Sequence, residues 1–351
     1  MSRKGKSKAK SARRRGGGMG LLVSVLLLGA LLAAAGWLYV DLQRFSNTPQ
    51  RVVAPEATLD IPPGTAFLGI VRRVRAAGYE ASPDWYWRAL AWQMKVGANL
   101  HAGEYAVTPG LTPRTLLRKM AAGEVIRHRF TIVEGWSLKQ LRAALGNDAG
   151  LGHVTTTWSD AELMAKLGAP RQAAEGRFLP ETYTYTRGMD DVDILKQAHD
   201  ALEKTLAEVW ERRAPALPLK SPDEALILAS IVEKETGKAA ERAQIAGVFL
   251  RRLALGMRLQ TDPTVIYGMG AAYDGNIRKR DLEADTPYNT YTRAGLPPTP
   301  IALPGKAALE AAVHPAEGKA LYFVARGDGG HEFSDSLEAH NRAVAKYQLH
   351  R

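Results

Sequence analysis

The chain contains no cysteine. Disulfides, thiolate metal sites and a lipidated N-terminal cysteine are therefore excluded. Several catalytic signatures are missing too. There is no Gly-x-Ser-x-Gly elbow, and Ser230 sits inside an apolar run, which removes the usual support for serine hydrolysis. No His-Glu-x-x-His occurs, and His314, His331 and His340 are scattered, so a zinc hydrolase has no framework. Neither standard phosphate-cradling glycine loop is present. Acidic residues are absent from the first nineteen positions, where Arg3, Lys4, Lys6, Lys8, Lys10, Arg13, Arg14 and Arg15 cluster. These eight cations carry most of the formal net charge of +11, and the remaining chain is close to neutral. A basic tail on a near-neutral body signals topology rather than a nucleic-acid footprint.

Charge is also missing from residues 20–40. Twenty-one helical residues rise about 31 Å, enough to cross a hydrocarbon core. Trp37 and Tyr39 stand at the distal end, where an aromatic belt belongs, and Asp41 and Arg44 mark the exit. A cleaved signal peptide is the competing reading, with Ala33-Ala34-Ala35 as its small-residue site, but signal h-regions run only about 7–15 residues. The basic cluster precedes the span, so residues 1–19 are expected in the cytoplasm and the body outside it. With 46% hydrophobic and 24% charged residues over 351 positions, that body reads as ordinary globular protein in one large or two smaller domains.

Residues 41–55, with Pro49 and Pro55, read as an irregular linker. A pattern of strand, glycine turn, Thr or Ser cap and amphipathic helix then recurs three times. Its turns contain Gly64-Thr65, Gly110-Leu111-Thr112 and Gly135-Trp136-Ser137. Between the first two copies lies a helix opened by Ser82-Pro83-Asp84 and carrying Trp85, Trp87 and Trp92. Residues 56–126 would make a compact βααβ module, which resembles a LysM-like glycan-binding module. The alternative is a spacer whose tryptophans are simply core.

Residues 127–351 form the larger expected domain, of α+β class, organised around residues 224–237. Ser221-Pro222-Asp223-Glu224 gives an N-cap, a proline at the first helical position and acids in the first turn. The run 225–232 is apolar except for Ser230, as in a buried helix. Glu233 and Glu235 follow, with Gly237 as the stop. Carboxylates in a last turn oppose the helix dipole at a cost of roughly 0.3–1 kcal/mol each when exposed. Burial would raise their pKa, and a protonated glutamic acid near neutral pH is what a general acid needs. The plainer reading pairs them with Lys234, Lys238 or Arg242. Two positions apart on a helix, they diverge by about 200° and cannot form the paired carboxylates of a retaining glycosidase. Periodicity does not say which of them faces a cleft.

Helices are also expected over 191–212, 239–255 and 307–313. Residues 321–325 and 331–333 should form a hairpin about 327–330, and Asp335 with Glu338 suggests a capping box for a final helix. Residues 257–268 read as a polar cluster about a proline turn. Amide- and hydroxyl-bearing side chains concentrate there and in Thr286-Pro287-Tyr288-Asn289-Thr290-Tyr291. Such groups hydrogen-bond and stack on sugars, and an acid beside them suits glycoside chemistry.

The runs 229–236, 257–269, 288–291, 296–298 and 321–325, with Gly330-His331, resemble the MltG (YceG-like) endolytic murein transglycosylases. The order of parts does so too. The resemblance implies a bacterial inner-membrane enzyme, its catalytic domain periplasmic, that cuts nascent peptidoglycan strands internally near penicillin-binding proteins. It implies Glu235, the second glutamate of Glu-x-Glu-Thr, as the catalytic acid and Glu233 as a structural partner. The expected product carries a 1,6-anhydro-muramoyl end, with no metal or cofactor. Gln260, Tyr288, Asn289, Tyr291 and His331 are the candidates for holding the sugar. A hydrolytic muramidase using the same glutamate and a non-catalytic anchored scaffold are the alternatives.

Overall fold

The computed structural model describes residues 17–49, 58–78 and 82–349. The basic tail over 1–16 and linker residues 50–57 lie outside them. The chain divides into two units, Met1–Ile126 and Arg127–Arg351. Both mix helices with short antiparallel strand pairs.

The first unit opens with α1, Gly17–Asn47, whose apolar side chains from Leu21 to Val40 face outward. It is the one described helix long and apolar enough to cross a membrane. The linker expectation is corrected here, because the helix continues through Asp41 to Asn47. Phe45 stacks on Tyr86 and meets Trp87 edge-on, which gives these last two turns a packing surface.

The rest of the unit is β1 (Thr58–Ile61), α2 (Phe67–Ala76), α3 (Asp84–Met94), β2 (Gly103–Ala106) and α4 (Pro113–Ala122). β1 and β2 pair antiparallel, Leu59 opposite Tyr105 and Ile61 opposite Gly103. Strand alternation points Leu59 and Ile61 into a core with Val71, Val74, Trp87, Leu90 and Leu116. Of the helical tryptophans Trp87 is core, whereas Trp92 is 83% exposed.

The second unit begins with β3 (His128–Thr131), α5 (Leu138–Gly146), α6 (Asp160–Lys166) and β4 (Thr182–Tyr185). β3 pairs with β4, Phe130 opposite Tyr183. The recurring turn is visible as Gly64, Gly110 and Gly135, with φ of 75°, 86° and 75°, where a Cβ would be strained. Thr112 and Ser137 cap the helices that follow. Thr65 does not; its hydroxyl donates to the Pro62 carbonyl instead.

Next come α7 (Asp191–Glu211), α8 (Pro222–Glu235), α9 (Arg242–Ala254), α10 (Asp262–Met269), α11 (Lys279–Glu283) and α12 (Lys306–Val313). The hairpin β5 (Tyr322–Ala325) and β6 (His331–Ser334) and the final α13 (Leu337–Tyr347) complete the chain. α8 is the axis of the main core: every residue from Ala225 to Val232 is buried. It packs with Leu202 and Leu206 of α7, Ile245 and Phe249 of α9, and Leu309 and Val313 of α12. Each buried Leu, Ile or Val contributes about 1.5–3 kcal/mol, an upper estimate. Ser230 is tolerated there because its hydroxyl donates to the Ile227 carbonyl at 2.7 Å and accepts from the Ile301 amide at 3.0 Å.

Three local expectations are corrected. Helix 239–255 divides into a 3-10 turn at Ala239–Glu241 and α9. The segment 257–268 contains α10, because Pro263 lies in the first helical turn, where a missing N–H costs nothing. The last helix is capped by Ser336, which accepts from the Ala339 amide, rather than by Asp335.

Candidate active site

α8 carries Glu235 to its last position, with Thr236 as an extended C-cap. The carboxyl enters a cavity of about 470 Å³, whose walls include Arg252, Gln260, Thr261, Asp262, Tyr291, Tyr322 and His331. Burial pushes the Glu235 carboxyl up to about 7, while the Thr261 hydroxyl that donates to it pulls the other way. Asp262 adds to the rise and His331 opposes it. The acid is thus poised between protonation states near neutral pH, which suits proton transfer in both directions.

A buried hydroxyl network aims Thr261. The Thr261 amide donates to the Thr290 hydroxyl at 3.1 Å, and Thr264 reaches the Thr261 carbonyl at 2.8 Å. Thr264 and Thr290 are themselves 2.9 Å apart. Just before it, Gln260 adopts φ of 51°, a left-handed conformation costly for a side chain with a Cβ, pinned by its amide donating to the Thr290 carbonyl. Gln260 is exposed along the cavity. Below it, buried Arg252 donates to the Leu321 carbonyl at 2.6 Å and the Leu259 carbonyl at 2.8 Å, tying α9 to β5 and to the loop before α10.

His331 also lines the cavity. Its Nδ1 lies 2.8 Å from the Glu241 carboxylate, which accepts the His331 backbone amide at 3.1 Å as well. Burial opposes ionisation of Glu241, but these donors outweigh it and hold its carboxyl below the usual range. The Tyr291 hydroxyl donates to Asp262 at 2.6 Å.

The remaining candidates lie elsewhere. Asn289 is 1% exposed, its Nδ2 donating to the Asp281, Leu282 and Ala284 carbonyls and its Oδ1 accepting from the Tyr291 amide. Its amide is used up in holding a loop, so it clamps the Tyr291 segment rather than presenting a group to a sugar. Tyr288 lines a different, larger cavity of about 880 Å³, with Lys234, Tyr267 and Glu175. Burial pushes Glu175 up to about 7 as well, but its carboxylate accepts from the Leu138 amide at 3.0 Å and the Tyr267 hydroxyl at 3.3 Å. It seals the start of α5.

Glu233 points away from both cavities. It accepts from the Gly305 amide at 3.0 Å and pairs with Arg242 at 3.4 Å. Burial raises its pKa and Glu134 adds to this, against the Gly305 and Arg242 donors. Thr261, Asp262, Arg252 and Glu241 escaped sequence reasoning. The run Gln260-Thr261-Asp262-Pro263 was the available signal for two of them.

The sequence pattern of the YceG-like family matches residues 59–346. A Bacillus subtilis (strain 168) protein named endolytic murein transglycosylase is 31% identical over 282 residues, 72% of this chain and 74% of that protein. A Streptococcus pneumoniae (serotype 2, strain D39) protein of the same name is 26% identical over 93% of this chain, which spans 65% of its length. The 2.6 Å crystal structure of a YceG-like protein from Listeria monocytogenes superimposes with a TM-score of 0.52 at 30% identity. That match covers 81% of this chain and 98% of the Listeria chain.

Proposed function

The chain belongs to the YceG-like family, and from that premise we propose that it is an endolytic murein transglycosylase, a peptidoglycan lyase, with Glu235 as its working acid. The carrying observation is a glutamate at the end of a buried helix, its carboxyl raised to about 7 by burial and opening into a cavity.

Protonated Glu235 donates to the glycosidic oxygen between N-acetylmuramic acid and N-acetylglucosamine, and the bond from that oxygen to C1 breaks. The muramoyl 6-hydroxyl then closes on C1. Its proton returns to the Glu235 carboxylate, so the acid is regenerated and no water is consumed. Thr261 stabilises the carboxylate between the two transfers. Gln260, Tyr291 and His331 are placed to contact the sugar; Tyr288 belongs to a neighbouring surface and Asn289 to the loop's frame.

α1 is the membrane anchor, with the basic tail cytoplasmic and the chain beyond α1 outside the inner membrane. The first unit follows the βααβ order of a LysM-like module, and cell-wall synthases such as penicillin-binding proteins are the expected neighbours.

Hydrolysis by the same glutamate is the competing reading, because Asp262 brings a second carboxylate into the cavity. Mass spectrometry of cleaved strands decides between them. Wild type should release 1,6-anhydro ends and Glu235→Gln should release none. Reducing ends from wild type would make the enzyme a muramidase. Undiminished cleavage by Glu235→Gln would remove Glu235 from the chemistry.

A further inference from the structure

α3 has two faces. Trp87, Leu90 and Ala91 are buried in the unit's core. Trp85, Arg88, Trp92 and Lys95, spaced three, four and three apart, share the other side and are exposed. Trp92 is 83% exposed and Trp85 44%. An apolar cleft of about 600 Å³ lies beside Trp92, flanked by Arg88 and Lys95. Among the described residues neither cation has a carboxylate partner. Lys95 caps the helix with φ of 58°, a conformation that glycine adopts at less cost, so the chain carries a cation where the backbone favours none.

The height of this face is fixed by α1. Tyr86 donates to Asp41, the first charged residue after the uncharged stretch, and Phe45 stacks on Tyr86 with ring centroids 5.2 Å apart. Towards the other end of α3, Arg114 joins Gln93 at 3.3 Å to Asn47 and Ser46, each at 3.2 Å. Both ends of α3 are therefore pinned to residues 41–47, which rise only about 10 Å beyond the uncharged stretch. One headgroup layer is about 5–8 Å deep, so residues 41–47 span it and end just past its outer edge. Tryptophan and basic side chains at that height match an anionic bilayer surface, the tryptophans in the interface and the cations on phosphates.

We propose that the Trp85–Arg88–Trp92–Lys95 face of α3 lies on the anionic lipid headgroups of the bilayer that α1 crosses. The proposal rests on the anchor reading of α1. It makes the first unit a second membrane contact rather than a free spacer.

The absence of cysteine provides the test. A single nitroxide at Ala98→Cys, an exposed position on the cleft, is placed in the full chain, which is reconstituted in nanodiscs of phosphatidylglycerol or of phosphatidylcholine alone. Collision rates with oxygen and with a water-soluble nickel chelate are then compared. In anionic discs the oxygen-to-nickel ratio should rise about threefold over zwitterionic discs, as for a group entering the interface. Arg88→Gln with Lys95→Gln, or Trp92→Ala, should abolish the rise; all three side chains are exposed, so folding is spared. Equal, water-like ratios in both discs, with the chain co-eluting with them, would sink the proposal. So would shielding that appears only when muropeptides are added, which would make the face a glycan dock. Failure to co-elute with the discs would overturn the anchor reading, and this proposal with it.

Discussion

The Thr261 hydroxyl donates to the Glu235 carboxylate, so the side chain that ends α8 is held by the residue immediately before α10. The hydrogen bond favours the ionised acid while burial favours the neutral one. Thr261→Val keeps the shape and removes the donor. The alkaline limb of the kcat profile should then move up, by about 0.7 unit if the bond contributes about 1 kcal/mol. An unchanged limb would mean that Thr261 does not tune the acid.

Glu235 itself should set that limb. The wild-type rate should fall about tenfold per pH unit above neutrality, as the general acid ionises. Glu235→Gln should lose about 10²–10⁴-fold in kcat at and below neutral pH, and the limb should vanish with it. Glu233→Gln, which keeps an acceptor for the Gly305 amide, should stay within a few-fold of wild type.

Stability should move the opposite way. The folded pKa of Glu235 lies above the unfolded value, so the native state binds the extra proton between them. Stability is then highest below about pH 4 and declines as pH rises to about 7. The Gln variant avoids that penalty. Denaturant unfolding near pH 8 should find it more stable than wild type by about 1–3 kcal/mol, the gap closing in acid. A less stable Gln variant in alkali would show that burial does not strain this carboxyl.

Asn289→Ala deletes a side chain that satisfies three carbonyls and one amide. It should cost about 2–4 kcal/mol in chemical denaturation, since each orphaned buried group costs about 1–3 kcal/mol and some gain water. Tyr288→Phe, which only loses the Thr299 contact, should cost under about 1.5 kcal/mol.

Ser230→Ala leaves the Ile301 amide without an acceptor inside the core. A loss of about 1–3 kcal/mol is expected, read by urea unfolding. A neutral substitution would mean that the 301 segment finds another acceptor.

Much of this fold was legible because its signals are local. Ser221 caps α8 and Pro222 opens it, as the sequence requires, and the apolar run 225–232 is buried throughout. The hairpin β5–β6 follows from its glycine turn. The site was less legible because its contacts are distant. Glu235 meets Thr261 across 26 positions, and His331 meets Glu241 across 90. Tyr288 and Asn289 are adjacent in sequence yet serve a cavity wall and a loop clamp, a difference that composition cannot express. The sequence predicts a turn at Pro263 because proline both breaks and begins helices, and only the following residues' packing distinguishes the two.

α1 runs without a break from the uncharged stretch into its packing against α3 and α4. In its proposed role as anchor, α1 carries that packing surface with it, so α3 and α4 travel and spin with the helix. Under the proposed anchoring, encounters with partners held in the same membrane take place in a plane. Their frequency should follow the number of molecules per unit area of membrane, not per volume of the surrounding compartment.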